Sequence, residues 1–115
     1  MRIELSKTGG FTVIRPDGST LEPEDGWRLE EEIIRVLDSG HHVILDLSAC
    51  AFLNSVGLGG LVRAYTRAGV IRKIFRLCCL GNGVRRLLDI TKLDSIFETY
   101  DTVAEAVVGP VTEEN

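Results

Sequence analysis

The sequence predicts a single α/β domain. A mixed sheet of four to five strands opens with an antiparallel hairpin and continues in parallel, with about four helices, in the order β-β-α-β-α-β-α-β-α. Three observations predict it. The first two apolar runs alternate with polar residues and are joined by a glycine pair, too short a link for a helix. From Glu24 onward, short β-branched runs of strand length alternate with apolar stripes of helical period. Strands separated by helices in this way are most simply parallel and joined by right-handed crossovers. The domain is expected over residues 1–110, followed by a flexible tail over 111–115.

In order along the chain, Ile3 and Leu5, then Phe11 and Val13, give the two hairpin strands, with Lys7-Thr8-Gly9-Gly10 as turn chemistry. Pro16-Asp17-Gly18 signals a turn, and the segment on to Pro23 has no period. Glu24 and Asp25 place negative charge in a first helical turn, and Leu29, Ile33, Val36 and Leu37 form its apolar stripe up to Gly40. Val43, Ile44, Leu45 and Leu47 read as a buried strand. Leu58, Leu61, Val62 and Tyr65 then fall on one stripe of a helix that Gly69 closes, with Asn54 or Ser55 as its N-cap. Ile74, Phe75, Leu77 and Cys78-Cys79 form the next strand, followed by a turn at Gly81-Asn82-Gly83 and a short helix with Val84, Leu87 and Leu88 inward. Ile96-Phe97-Glu98 reads as a brief strand, and Asp101 or Thr102 caps a last helix over residues 103–107, stopped by Pro110.

Composition narrows the function classes. With 44% hydrophobic and 26% charged residues the chain is ordinary for a globular protein, and 115 residues bury a core without disulfide or metal staples. No apolar run reaches the ~20 residues of a membrane span, and Met1-Arg2 leads into alternating residues rather than a signal peptide, so a cytoplasmic location is expected. The acidic balance, with a pI near 5.1, argues against nucleic acid as a partner. The charge is unevenly spread. Residues 47–88 hold no Asp or Glu but seven of the 13 basic residues: Arg63, Arg67, Arg72, Lys73, Arg76, Arg85 and Arg86. Arg63 and Arg67 are i, i+4 neighbours, and they form either a positive docking rim or a solvated face balanced by the acids of residues 24–32.

Catalytic machinery does not assemble from these residues. Cys50 and His42 are the one nucleophile and base close in the chain, and packing explains both. Gly57-Leu58-Gly59-Gly60 fails the dinucleotide fingerprint, because the third glycine would have to stand at Val62. No CxxC exists, and His41-His42 has no second ligand pair, so neither a metal nor any other cofactor is expected. Cys78-Cys79 is read as packing, with redox sensing as the minor alternative. The helix start after the third strand is the outstanding feature. Its free amide groups and thin glycine turn suit an approaching backbone, an anionic nucleotide or lipid headgroup, or a phosphoserine.

The run Val43-Ile44-Leu45-Asp46-Leu47-Ser48, then Phe52-Leu53-Asn54-Ser55-Val56-Gly57-Leu58-Gly59, with Val84-Arg85-Arg86-Leu87-Leu88 and Leu93-Asp94-Ser95-Ile96-Phe97, resembles the STAS domain. That family comprises the cytoplasmic domain of sulphate transporters and the bacterial anti-sigma factor antagonists, and a stand-alone domain is most similar to the antagonist branch. The resemblance implies a regulatory binding module, not an enzyme, that docks on an anti-sigma factor which is also a serine kinase. In that branch the motif Asp-Ser-Ser/Thr-Gly-Leu is phosphorylated on the hydroxyl residue directly before the glycine, and the added charge releases the partner.

Here that position is Val56, and the leading aspartate is Asn54. Gly18-Ser19-Thr20-Leu21 also departs from the family's Gly-x-Leu-Asp pattern. The resemblance then implies a constitutive binder, or a switch moved to Ser55; the first is favoured, because serine at a helix start is usually its cap. The expected partner-binding residues are Asn54, Ser55, Val56, Gly57, Leu58 and Gly59, with Arg63 and Arg67 at the rim. The alternative role is a subunit of a larger stress-signalling or lipid-transport assembly.

Overall fold

The computed structural model describes residues 1–18 and 22–110. The elements, in chain order, are β1 (Arg2–Thr8), β2 (Phe11–Asp17), α1 (Pro23–Asp38), β3 (His42–Asp46), α2 (Ser55–Val70), β4 (Phe75–Cys78), α3 (Asn82–Ile90), β5 (Thr99–Tyr100) and α4 (Val103–Val108). The expected order and the mixed sheet are both present. Strands lie side by side in sequence order, β1-β2-β3-β4-β5, with β1 antiparallel to β2 and every later pair parallel.

The hairpin turn is made by Gly9 and Gly10, both at positive φ (55° and 84°), the backbone that two-residue hairpins need to match strand twist. Because the strands follow chain order, a crossover of one hand repeated along the sheet stacks its helices on one face. The main core lies there: Leu29, Ile33 and Leu37 of α1, Leu61 and Ala64 of α2, and Val84 and Leu88 of α3 pack on Ile14, Val43, Leu45 and Leu77. The opposite face carries a smaller cluster of Phe11, Val13, Ile44 and Cys78, covered by Ala106 of α4.

Several elements differ from their sequence reading. Pro16 is not a turn residue but a buried member of β2, opposite Ile3 and beyond Ile14, where the pairing with β3 has already ended and a missing N–H is tolerated. Gly81-Asn82-Gly83 is not a turn separate from the helix; Gly81 is the N-cap of α3, Asn82 and Gly83 are its first residues, and Arg85 N–H already bonds the Gly81 carbonyl at 3.0 Å. The last strand is Thr99–Tyr100, not Ile96-Phe97-Glu98: Phe97 turns inward between Tyr65 and Phe75, its ring edge-on to both. The buried stripe of α2 is Gly57, Gly60, Leu61, Ala64 and Ala68, whereas Leu58 and Val62 are half-buried and Tyr65 is exposed. Of the pair offered for α4, Thr102 is the cap, its Oγ1 accepting Glu105 N–H at 3.0 Å. The expected tail over 111–115, and residues 19–21 of the Gly18-Ser19-Thr20-Leu21 comparison, lie outside the described residues.

Candidate functional site

The loop from Leu47 to Asn54 leaves the carboxyl end of β3, the end where parallel sheets present their useful residues. It is pinned from below. Leu47, Cys50 and Leu53 are buried, Leu47 N–H bonds Cys78 carbonyl at 3.0 Å, and Gly18 N–H bonds Ala49 carbonyl at 3.0 Å. Phe52 between them is half exposed. Buried anchors on either side therefore hold an apolar ring at the surface.

Asn54 is the N-cap of α2, and its Oδ1 accepts Gly57 N–H at 2.7 Å. Its amide nitrogen donates to the carbonyl of Glu22, the N-cap of α1, at 3.3 Å. One side chain thus closes the first turn of α2 and ties it to the start of α1. Ser55, in the first helical position, is exposed and leaves the capping to Asn54. Val56 is half-buried, with Cγ1 turned toward α1 at Gly26.

The glycines explain how close the two helices come. A Cβ built on Gly26 would stand 2.7 Å from Gly57 N and 3.0 Å from Gly57 Cα, and one on Gly60 would stand 2.9 Å from Glu30 Cβ. Gly57 and Gly60 are buried in this contact, so they shape the site by letting α2 lie against α1. The solvent-facing part of the first turns is Ser55 with the half-buried Asn54, Val56, Leu58 and Gly59; Trp27 of α1 is 56% exposed and shares a groove with Glu30, Glu31, Ile34 and Arg35 of its own helix.

The expected positive rim is largely neutralised. Arg63 makes a two-pronged ion pair with Glu30 of α1, Nε to Oε2 at 2.7 Å and Nη2 to Oε1 at 2.8 Å, which holds the Glu30 carboxyl below the ordinary carboxylate range. Arg67 pairs with Asp38 at 2.8 Å, and Arg85 with Asp101 at 3.1 Å. Arg76 is not at the surface at all; it is 1% exposed and pairs with Glu98 at 2.7 Å. Arg63 and Arg67 of α2 and the acids Glu30 and Asp38 of α1 thus interlock the two helices, the balanced arrangement that the sequence left open for this pair. Glu30 lies among the acids of residues 24–32 that the sequence offered as counter-charges, whereas Gly26 and Asp38 escaped the sequence reading as parts of the site. The spacing of Glu30 and Asp38, two helical turns apart on one face of α1, was the available signal.

His42 and Cys50 do not form a dyad: His42 opens β3 and Cys50 lies beyond its other end. His42 Nδ1 accepts Ile74 N–H at 3.0 Å, and the Cys50 thiol donates to Phe52 carbonyl at 3.3 Å. Both are spent on local structure. Among the described residues no helix is long and apolar enough to cross a membrane.

A family profile of the STAS domain matches residues 2–106 of the chain. The anti-sigma-F factor antagonist RsfB of Mycobacterium tuberculosis is 35% identical over 82 residues, covering 70% of this chain and 66% of that protein, so the match spans just under two thirds of the relative's length. The crystal structure of an anti-sigma factor antagonist from Mycobacterium paratuberculosis superposes with a TM-score of 0.81 at 29% identity, covering 92% of this chain and 90% of the other. The Bacillus cell fate determinant SpoIIAA in its phosphorylated form shares the fold, with a TM-score of 0.71 at 18% identity over 92% of this chain and 96% of that one. With its antiparallel opening hairpin, its parallel strands in chain order and the glycine-thinned helix start beyond β3, this chain belongs to the STAS domain family.

Proposed function

We propose that the domain is an anti-sigma factor antagonist acting as a regulatory binding module in the cytoplasm. It docks on a kinase-type anti-sigma factor through the first turn of α2, and it is not switched by phosphorylation at the family's usual position. The observation that carries this reading is the division of labour at the helix start. Gly57 and Gly60 are consumed by the contact with α1, while Ser55, Leu58 and Gly59 keep solvent-facing surface, and Phe52, two residues before the N-cap, is half exposed in the loop that leads into the helix. Apolar anchors inside a polar rim are the usual anatomy of a protein interface. Val56 holds no oxygen that could accept a phosphoryl group, and it leans on α1. Relatives that carry the antagonist name support the choice of partner.

The test is capture of the domain from a lysate of its own organism, followed by reconstitution with the captured kinase-like protein and ATP. A stable complex with the domain's mass unchanged is expected. Leu58→Asp should weaken it at least tenfold, by putting a charge in the apolar centre, and Ser55→Ala should leave it intact. A phosphate mapped to Ser55 would transfer the switch to that residue. Recovery of an ATPase or membrane subunit in place of a kinase would favour the assembly-subunit role instead.

A further inference from the structure

The ends of β3 and β4 bring together three side chains that the docking surface does not use. Asp46 and Cys78 are register partners, so both side chains leave the sheet on the face that α4 covers. Cys79, the next residue, would point to the opposite face if the strand continued. It does not continue: Cys79 has φ 63°, and the left-handed turn brings its Sγ to 3.3 Å from that of Cys78. The carboxylate oxygen and the two sulfurs all lie within 4.8 Å of one another.

We propose that Asp46, Cys78 and Cys79 form a binding site for a thiophilic divalent metal ion of the zinc and cadmium class. A tetrahedral ion with metal–sulfur bonds of about 2.3 Å holds two sulfurs about 3.8 Å apart, so the present pair has to open by only about half an ångström. Cys79 is half-buried and can make that adjustment, whereas Cys78 is fixed in the core. Asp46 is already oriented: its Oδ1 accepts Ser48 N–H at 2.9 Å, the kind of outer contact that holds a carboxylate ligand in place. A cleft of about 410 Å³, lined by Glu4, Ser6, Arg15 and Val103, opens onto Asp46 from solvent. The cleft reaches the carboxylate and not the sulfurs, so the ion enters over Asp46 and takes a water for its fourth position from that side. Binding replaces the two thiol protons, which pass to solvent, and two thiolates with one carboxylate leave the complex with a single negative charge. Neither the CxxC spacing nor a histidine pair announces such a site; only the turned backbone at Cys79 assembles it.

The reduced, metal-free chain is titrated with Cd2+ under argon, and the ultraviolet sulfur-to-cadmium charge-transfer band is recorded. A band that saturates at one ion per chain is expected. It should survive Cys50→Ser, disappear in Cys79→Gly, which suits the left-handed backbone, and require at least tenfold more Cd2+ in Asp46→Asn. Far-ultraviolet circular dichroism checks that each variant is folded, and Cys79→Ser serves as the second thiol deletion. Absence of the band, its persistence in folded Cys79→Gly or Cys79→Ser, or its loss in Cys50→Ser would overturn the proposal. So would a Cys78–Cys79 disulfide that forms in air equally fast with and without Cd2+.

Discussion

Asn54 does two jobs with one amide. Its oxygen takes the Gly57 N–H and its nitrogen reaches the Glu22 carbonyl, so an aspartate in its place would keep the first contact and set a carboxylate against a carbonyl in the second. Asn54→Ala should cost about 1 kcal/mol of unfolding free energy or somewhat more, measured by urea denaturation, and Asn54→Asp less. Ser55→Ala should change stability by less than about 0.5 kcal/mol, because an exposed side chain with no capping duty is lost. The sequence could not choose between these neighbours, since both residue types favour the cap; the backbone geometry decides. His42 offers a second residue-level prediction. Burial, with help from Lys73, Arg76 and His41, holds its pKa below the ordinary value of 6.5, and its Nδ1 must stay unprotonated to accept Ile74 N–H. On acidification the unfolded chain therefore binds this proton first. The stability that His42 contributes is present above about pH 6.5 and is lost as pH falls through the lowered folded value. Denaturation midpoints measured from about pH 7 to about pH 5 should fall less steeply in His42→Asn, whose amide oxygen can take the same N–H.

The α1–α2 pair is the element on which the proposed docking surface rests. Gly26 faces backbone, with Gly57 N only 2.7 Å from the place a Cβ would occupy, so no rotamer change relieves a larger residue there. Gly26→Ala should destabilise the fold by about 1–3 kcal/mol in urea denaturation and shift the start of α2, weakening partner capture as well. Gly60→Ala meets Glu30 Cβ at 2.9 Å, an atom fixed to the α1 backbone, so a loss is expected there too, and Gly69→Ala, which has open space around its Cβ, is the control. The helix pairing was only half legible in the sequence. A stripe search weights Leu58, Val62 and Tyr65, whereas the buried edge of α2 is built from glycine and alanine, whose contribution is closeness rather than hydrophobic area. Strands with alternating or β-branched residues announced themselves. The two-residue β5 did not, because the apolar Ile96 and Phe97 beside it gave the stronger signal while Phe97 was serving the helical layer.

Across the whole molecule, the order of elements was readable because period two and period 3.6 alternate along the chain, and handedness leaves few ways to stack them. Charge was read less well. A list of basic residues suggested a surface, but one of them, Arg76, stands in the sheet with its Cζ 5.4 Å from the Phe11 ring and 5.5 Å from the Tyr100 ring. Its Nε meets Glu98, and its two terminal nitrogens donate to the carbonyls of Ala106 and Pro110 at 2.7 and 2.5 Å. Sequence patterning has no sign for a cation that is matched by carbonyls 30 and 34 residues away. Arg76→Ala should cost about 3–5 kcal/mol in urea denaturation, through the cavity left between the rings and the buried Ala106 carbonyl left without its donor, whereas Glu98, 40% exposed, turns to water. Arg76→Met, which refills the space, should cost less.

The guanidinium of Arg76 is in effect a rivet driven through the sheet from within, and its head clamps the chain from Ala106 to Pro110. Shortening the polypeptide to before Ala106 would strip that charge of two of its acceptors and open it to water, so a nick in α4 becomes a lesion at the centre of the domain. Fusions and trimmed versions made for binding studies should therefore keep everything through Pro110 and attach their additions beyond it.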